Sequence, residues 1–428
     1  MFEVARNAFK VSDLRRKILY TILIIVLFRL GSAIPVPFID ATGLAGLFAA
    51  QDGVLGQGGM FNFLNIMAGG ALSKASIFAM SIGPYITASI VMQLLSYAIP
   101  PLERLQKEGE EGRKKIAQIT RYVTIVLGLV EGFGFYSILA NEQGIVKYHG
   151  NWFATIVIVL CFGAGTAIIM WLGEKINEVG IGNGISIILF ASIVSRGPQM
   201  VLYVWEALVK QNLYWLAAVV IIVAVALIVS IVVMNDAERR VPIQYAKRVV
   251  GRKMYGGQNT HLPLKVTMTG VLPIIFASSF VMLPATISAF FPNSGFANFI
   301  TKYFGYTSIP YAIIYFVLII AFNYFYVSMQ YNPVEMSNNI KQNGGFIPGI
   351  RPGKPTSDFI SKILNKVSLI GALFLGLIAV LPIFMNNVLN INIALGGTSI
   401  LIVVGVVLET MKQLESQMLM RHYKGFLE

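Results

Sequence analysis

Residues able to do chemistry are few in this chain. Its 428 residues include one Cys and three His, too few for a disulfide framework or a cysteine-rich metal site. No G-x-x-x-x-G-K-[ST] run is present to cradle a nucleotide, so any driving energy has to come from a partner or from a membrane potential. Two ionisable residues stand inside apolar stretches, where a charge is costly. Glu131 lies among Gly128, Gly132 and Gly134, small residues that let helices approach closely. That spacing places it in a packed seam rather than against lipid. Arg29 is its basic counterpart, either snorkelling toward an interface or fixing packing through a salt bridge. A single carboxylate makes neither a proton relay nor a cation cage. Because the apolar stretches hold no nucleophile–base pair or metal pair, neither an enzyme nor a cofactor is expected. A solute transporter is disfavoured for want of ion-coordinating groups.

These residues are carried by an unusually apolar chain. It is 56% hydrophobic and 12% charged, about half the ~25% charge of a globular protein. A membrane-spanning helix needs ~20 mostly apolar residues. Ten windows meet that need: 18–39, 72–98, 122–140, 152–172, 184–204, 213–234, 267–291, 309–329, 367–386 and 393–411. The fifth is the weakest, since its uninterrupted apolar run is short and Ser195-Arg196-Gly197-Pro198 follows. Arg29 interrupts the first, and Pro35-Val36-Pro37 follows it, so it reads as a span and not as a cleaved signal peptide.

Charge orients the bundle. The net charge is +13, from 33 Lys+Arg against 20 Asp+Glu. With an even number of spans both ends lie on one side, and 27 of the 33 cations fall on that side. By the positive-inside rule this side is cytoplasmic. Two cytoplasmic loops, 235–266 and 331–366, are long for connections between packed helices. Topology needs few cations per loop. The excess, in runs such as Glu238-Arg239-Arg240-Val241-Pro242 and Gly349-Ile350-Arg351-Pro352-Gly353, suits a turn-rich docking surface for an acidic protein face or RNA phosphate.

An internal repeat divides the chain. Pro84-Tyr85-Ile86-Thr87-Ala88-Ser89 and Pro273-Ile274-Ile275-Phe276-Ala277-Ser278 both fit P-x-I-x-A-S, each in the second span of a five-span half. A weaker echo links Gly184-Ile185-Ser186-Ile187 with Gly397-Thr398-Ser399-Ile400 at the same offset. Five-span halves face opposite ways, so the repeat is of inverted topology, with the working site at the interface of the halves. The expected organisation is a cytoplasmic segment 1–17, a first half 18–205, a second half 206–411 and a cytoplasmic tail 412–428. Between spans one and two, Gly56-Gln57-Gly58-Gly59 and Gly69-Gly70 bracket the apolar segment Met60–Met67. Eight helical residues reach only ~12 Å, too short to span. Such a helix either occupies and leaves a re-entrant cavity or docks on the bundle surface, and sequence alone leaves both open.

Taken together, the motifs resemble the SecY family of protein-conducting channels. They include Gly69-Gly70-Ala71-Leu72-Ser73, Ser81-Ile82-Gly83-Pro84-Tyr85-Ile86, Lys107-Glu108-Gly109-Glu110, Gly180-Ile181-Gly182-Asn183-Gly184-Ile185-Ser186, Thr260-His261-Leu262-Pro263-Leu264-Lys265, Pro348-Gly349-Ile350-Arg351-Pro352-Gly353 and Gly396-Gly397-Thr398-Ser399. The resemblance runs essentially from Phe2 to the tail, and the short stretch after Met411 resembles Bacillus-like, Gram-positive versions. It implies an all-α integral membrane protein with ten transmembrane helices in two inverted five-helix halves and a short plug helix. It implies an hourglass pore closed by an aliphatic ring of Ile82, Ile86, Ile185, Leu189, Ile275 and Ile402. The family mostly has Ile at these positions, so Leu189 is a mild departure. Branched aliphatics suit such a ring, because they exclude ions by dewetting and offer a passing peptide no hydrogen bonds.

The resemblance further makes Met60, Phe61, Asn62, Phe63, Leu64, Asn65, Ile66 and Met67 the plug, within about 60–70. It puts a lateral gate at Thr87, Gln93, Glu131, Ser278 and Ser279. Docking of the SecA motor ATPase or the ribosome falls to Arg239, Arg240, Lys247, Arg248, Arg252, Arg351 and Lys354, with Arg351 foremost for the motor. It also implies SecE and SecG as companion subunits and signal sequences and unfolded preproteins as passengers. The setting is the phospholipid bilayer of the bacterial plasma membrane, and specific DNA binding is not expected.

Overall fold

The computed structural model describes residues 6, 8–49, 60–142, 144–148, 150–210, 214–245, 248–250, 253–255, 259–289, 294–295, 299, 303, 305, 308–389 and 397–424. Helix α1 (Ser12–Gly31) is followed by two short helices, α2 (Ala41–Ala49) and α3 (Met60–Met67). Next come α4 (Gly83–Ala98), α5 (Pro100–Lys107), α6 (Glu110–Asn141), α7 (Trp152–Val179), α8 (Gly184–Lys210) and α9 (Tyr214–Asp236). After a strand-rich insertion follow α10 (Leu272–Ala289), α11 (Ile309–Gln330), α12 (Pro333–Gln342), α13 (Lys354–Leu389) and α14 (Gly397–Lys424). Among the described residues, four helices are long and apolar enough to cross a membrane. A fifth joins them if α4 and α5, bent by 100° where they meet, count as one span.

Several helix ends differ from the apolar windows, because hydropathy marks lipid contact and not helix termini. The window 18–39 is helical only to Gly31, and α13 and α14 run well past their windows into charged sequence. The largest difference lies in 72–98, whose first part is a chain of turns with left-handed backbone at Ala75 and Ser81. Helix α4 starts only at Gly83, with Pro84 in its first turn, where the missing N–H costs nothing. In the fifth window, Arg196-Gly197-Pro198 does not end α8, which carries Pro198 inside it.

Apolar side chains gather into separate cores. One, drawn from residues 36–162, packs α2, α3 and the turns after them against α6 and α7 through Leu44, Phe61, Leu72, Phe135 and Phe162. Another, drawn from 231–401, packs α9, α10, α11 and α13 through Ile231, Ile274, Tyr315, Ile319 and Ile378. A third takes residues from both sets and is described below. Close approach within the first core depends on glycine: a Cβ on Gly128 would meet Thr166 at 3.2 Å, and one on Gly132 would meet Phe162 at 3.1 Å. The glycine seam foreseen around Glu131 is therefore the α6–α7 contact.

The two long loops form one unit. Strands β1 (Glu238–Tyr245), β2 (Arg248–Val250), β3 (Lys253–Tyr255), β4 (Asn259–Lys265) and β5 (Gly345–Phe346) make a three-stranded sheet, β4-β1-β5, and a β2–β3 hairpin. Inward residues Val241, Ile243 and Leu264 pack with Ile340, Ile347, Ile360 and Leu364 from α12, the turn after β5 and the start of α13. Pro242 and Pro263 sit in paired strands, yet β5 reaches only Gln244 and Tyr245, and β4 is an edge strand. Proline is tolerated at such edges.

Candidate functional site

The third apolar core sits where the two halves of the chain meet. It contains Ile82, Ile86, Leu189, Ile275 and Ile402, all buried, with the partly buried Ile185 packed against them. All six positions foreseen for the ring therefore converge. The core is larger than that ring, since Met67, Ile90, Ile187, Ile188, Phe276 and Val406 belong to it. The repeat explains the convergence. Ile86 is the fourth residue of α4 and Ile275 the fourth of α10, each two residues after the Pro that opens its helix. Leu189 and Ile402 are each five residues after the Gly that opens α8 and α14. That second equivalence was available in the Gly184 and Gly397 echo, and it pairs Leu189 with Ile402, two of the four ring members the proline motif misses.

Two cavities flank this waist. A cavity of about 90 Å³ is bounded on one side by Phe61, Leu64 and Met67 of α3 and on another by Ile82, Ile86, Leu189 and Ile275. Glu131, Thr87, Ser278 and Ser279 also line it. The other cavity, about 480 Å³, opens toward the sheet, with Asn183, Ser186, Asn235, Lys265, Thr267, Tyr326 and Glu409 in its wall. Ile275 lines both. A largely apolar chamber carrying a few polar groups and a vestibule richer in polar groups thus meet at one aliphatic layer.

The polar groups foreseen as a gate behave differently from one another. Thr87, Glu131, Ser278 and Ser279 share the small chamber, brought there by α4, α6 and α10. Gln93 lies about 9 Å further along α4 and is absent from the chamber wall. The Thr87 hydroxyl donates to the Gly83 carbonyl (3.2 Å), Gln93 Nε2 to Ser89 Oγ (3.3 Å) and the Ser278 hydroxyl to the Ile275 carbonyl (2.8 Å). Each of these bonds stays within its own helix, so none ties the seam shut. Sequence reasoning missed Ser81, whose buried hydroxyl lines the same chamber without a hydrogen-bond partner. Its left-handed backbone leaves no signal in the residue type.

Helix α3 is formed over Met60–Met67. Phe61, Leu64 and Met67 face the chamber, and Asn65 Oδ1 accepts from the Ser73 backbone N–H at 3.0 Å. The side chains of Met60, Asn62 and Phe63, and the residues 56–59 expected as a hinge, lie outside the described residues. The position of α3 favours the cavity-filling alternative over a surface helix.

Comparison with known proteins fits this arrangement. The SecY family profile matches residues 76–411. The chain belongs to the SecY family. The protein translocase subunit SecY of Bacillus subtilis is 45% identical over 440 residues, covering all of both chains. Among solved structures, one of a SecY protein whose plug domain stabilises the closed translocation channel superposes with a TM-score of 0.61 at 18% identity. It covers 94% of this chain and 92% of that one. A yeast Ssh1 complex bound to the 80S ribosome gives 0.62 at 15% identity, over 96% and 89%. SecY membership makes this a multi-pass membrane protein and a channel-forming translocase subunit, not an enzyme.

Of the basic residues foreseen for docking, Arg239, Arg240, Arg248, Arg351 and Lys354 are among the described residues, in or beside the sheet unit. Arg239 and Arg240 are exposed on β1, although Arg240 Nε donates to Glu238 Oε1 at 2.7 Å. Arg351 is exposed in the turn before α13, and Lys354, also exposed, opens that helix. Here Thr356 donates to the Arg351 carbonyl (2.9 Å) and Ser337 to the Gly353 carbonyl (2.9 Å). The Arg351 backbone is held while its side chain is exposed. Arg248 is in β2. Lys247 and Arg252 lie outside the described residues.

Proposed function

We propose that this chain is the pore-forming subunit of a bacterial plasma-membrane translocon. It passes unfolded secretory chains through its waist and releases apolar segments sideways into lipid. Ten spans, in inverted halves 18–205 and 206–411 with both ends cytoplasmic, form the bundle. The observation that carries the reading is the aliphatic layer, drawn from early and late segments of the chain, that lies between two cavities lined in part by polar groups and shares Ile275 with both. Such a layer resists water and ions by dewetting, yet offers nothing that would hold a sliding peptide.

In this reading α3 is the plug and seals the chamber side. The α4/α6 and α10 seam, with Thr87, Glu131, Ser278 and Ser279, is the lateral gate, and Gln93 lines its cytoplasmic continuation. The sheet unit receives SecA or the ribosome through Arg239, Arg240, Lys247, Arg248, Arg252, Arg351 and Lys354. The ribosome-bound yeast relative supports the second partner. SecE and SecG are its companion subunits. The deciding experiment places Ile86→Cys and Ile275→Cys in the chain and arrests a secretory polypeptide in transit. Disulfide crosslinks from both positions to the passenger are expected; their absence from an arrested, protease-protected chain would reject the pore assignment.

A further inference from the structure

The end of α3 nearest its Gly-Gly sequence is held in an unusual way. The Gly70 N–H donates to the Asn65 carbonyl (2.8 Å) and the Gly69 N–H to the Ile66 carbonyl (3.0 Å), the paired bonds of a Schellman termination. Gly69 and Gly70 have φ of +65° and +84°, which suits glycine at these positions. Space demands glycine as well, since a Cβ on Gly69 would lie 2.9 Å from both the Ser192 carbonyl oxygen and Arg29 Nη1. On Gly70 it would lie 3.0 Å from Arg196 Nε. Arg29 Nη1 donates to the Gly69 carbonyl at 3.4 Å.

Two guanidinium groups, from the last turn of α1 and the middle of α8, thus close on one glycine pair. Because they reach adjacent glycines, the two like charges stand close to each other. Among the described residues neither forms an ion pair with a carboxylate. What faces them is the carbonyl end of α3, which carries the negative pole of the helix dipole.

We propose that Arg29 and Arg196 form a cationic clasp that seats α3 in the chamber by gripping its Gly69-Gly70 terminus. They act as positioning residues for the closed channel. The proposal rests on reading α3 as the plug. When α3 leaves, the carbonyl end withdraws and two neighbouring cations lose their partner, so the clasp favours the seated state through charge.

The test is iodide leak through the full-length chain, purified with its copurifying subunits and reconstituted in liposomes. A variant lacking residues 60–67 is the reference for an unseated plug. R29Q/R196Q is expected to raise resting leak about tenfold, the combined effect of two cations at a helix C-terminus. R29K/R196K should stay near wild type. Adding R29Q/R196Q to the 60–67 deletion should add nothing to the leak. R196Q alone gives an intermediate leak and keeps the test open if the double variant does not insert. Unchanged leak in the Gln variants beside a leaking deletion would overturn the clasp and leave the plug standing. So would a Lys pair that leaks as much as the Gln pair, or a further rise in the deletion background. A deletion that does not leak would instead reject the plug reading beneath it.

Discussion

The waist and the sheet unit are built in opposite ways. At the waist, Ile82 from the turn before α4 and Ile86, Ile185, Leu189, Ile275 and Ile402 from four helices meet through apolar side chains alone. Such contacts are individually weak and non-directional, so the layer can part around a passenger and close again. The sheet unit joins residues far apart in sequence through β1–β4 and β1–β5 pairing and adds an apolar core of its own. It runs directly into α13, a helix unbroken from Lys354 to Leu389. In the proposed function, a push received by the sheet unit would pass along α13 into the bundle.

The comparison breaks most severely if the stiff unit loses its core. Ile360 of α13 is fully buried in the core that the sheet shares with that helix. Ile360→Ala is expected to cost about 2–5 kcal/mol of local stability. Limited proteolysis of the 235–266 and 331–366 segments should accelerate while the waist keeps its ion seal. Next in size is Arg351→Glu. Its side chain is exposed and its backbone is held by Thr356, so the fold should survive. Charge reversal against an acidic partner costs several kcal/mol, and SecA-driven export should fall about a hundredfold or more. Normal export from an assembled Arg351→Glu channel would remove the docking role.

How far each region could be read from sequence follows from its physics. The waist was legible chiefly through the family resemblance; the residues themselves put only Ile86 and Ile275 in equivalent slots of a duplicated proline motif, and an isolated Ile in an apolar helix carries no signal that separates a ring from ordinary packing. The charge excess of the sheet unit was legible too, but its strands were not. Pro242 and Pro263 argue against strand, and only the partial reach of β5 makes them acceptable. The turns over 69–82 were hidden for a different reason. Their residues are apolar enough to pass for the start of a span, while left-handed backbone at Gly69, Gly70, Ala75 and Ser81 prevents a helix. Sharing of the chamber by Glu131, Ser278 and Ser279 depends on tertiary packing of α6 on α10, and no local signal carries that.

At the waist a smaller change is expected to show how soft the layer is. Ile275 is the residue common to both cavities, so Ile275→Asn puts an amide where the chamber and vestibule are divided. An unpaired buried amide costs about 1–3 kcal/mol, which should weaken the closed state about tenfold. Resting ion leak should rise, and a reporter with a defective signal sequence should be exported more efficiently. Equal export of that reporter by Ile275→Asn and wild type would mean that the layer does not set the seal.

The smallest effect is expected at the rim of the vestibule, where Lys412 Nζ of α14 meets Asp236 Oδ1 of α9 at 2.7 Å. Their side chains are 44% and 54% exposed, so water screens the pair and side-chain entropy offsets much of its attraction. Exposed pairs of this kind contribute about 0–1 kcal/mol. Lys412→Ala should therefore shift the unfolding midpoint of the purified channel little, and less at high salt than at low. A loss above about 2 kcal/mol would exceed what a screened pair supplies. It would mean that charge, and not the apolar contact of α9 with α14, holds these two helices together beside the waist. The division between an apolar, yielding waist and a charged, rigid docking face would then have to be redrawn with the vestibule rim on the rigid side.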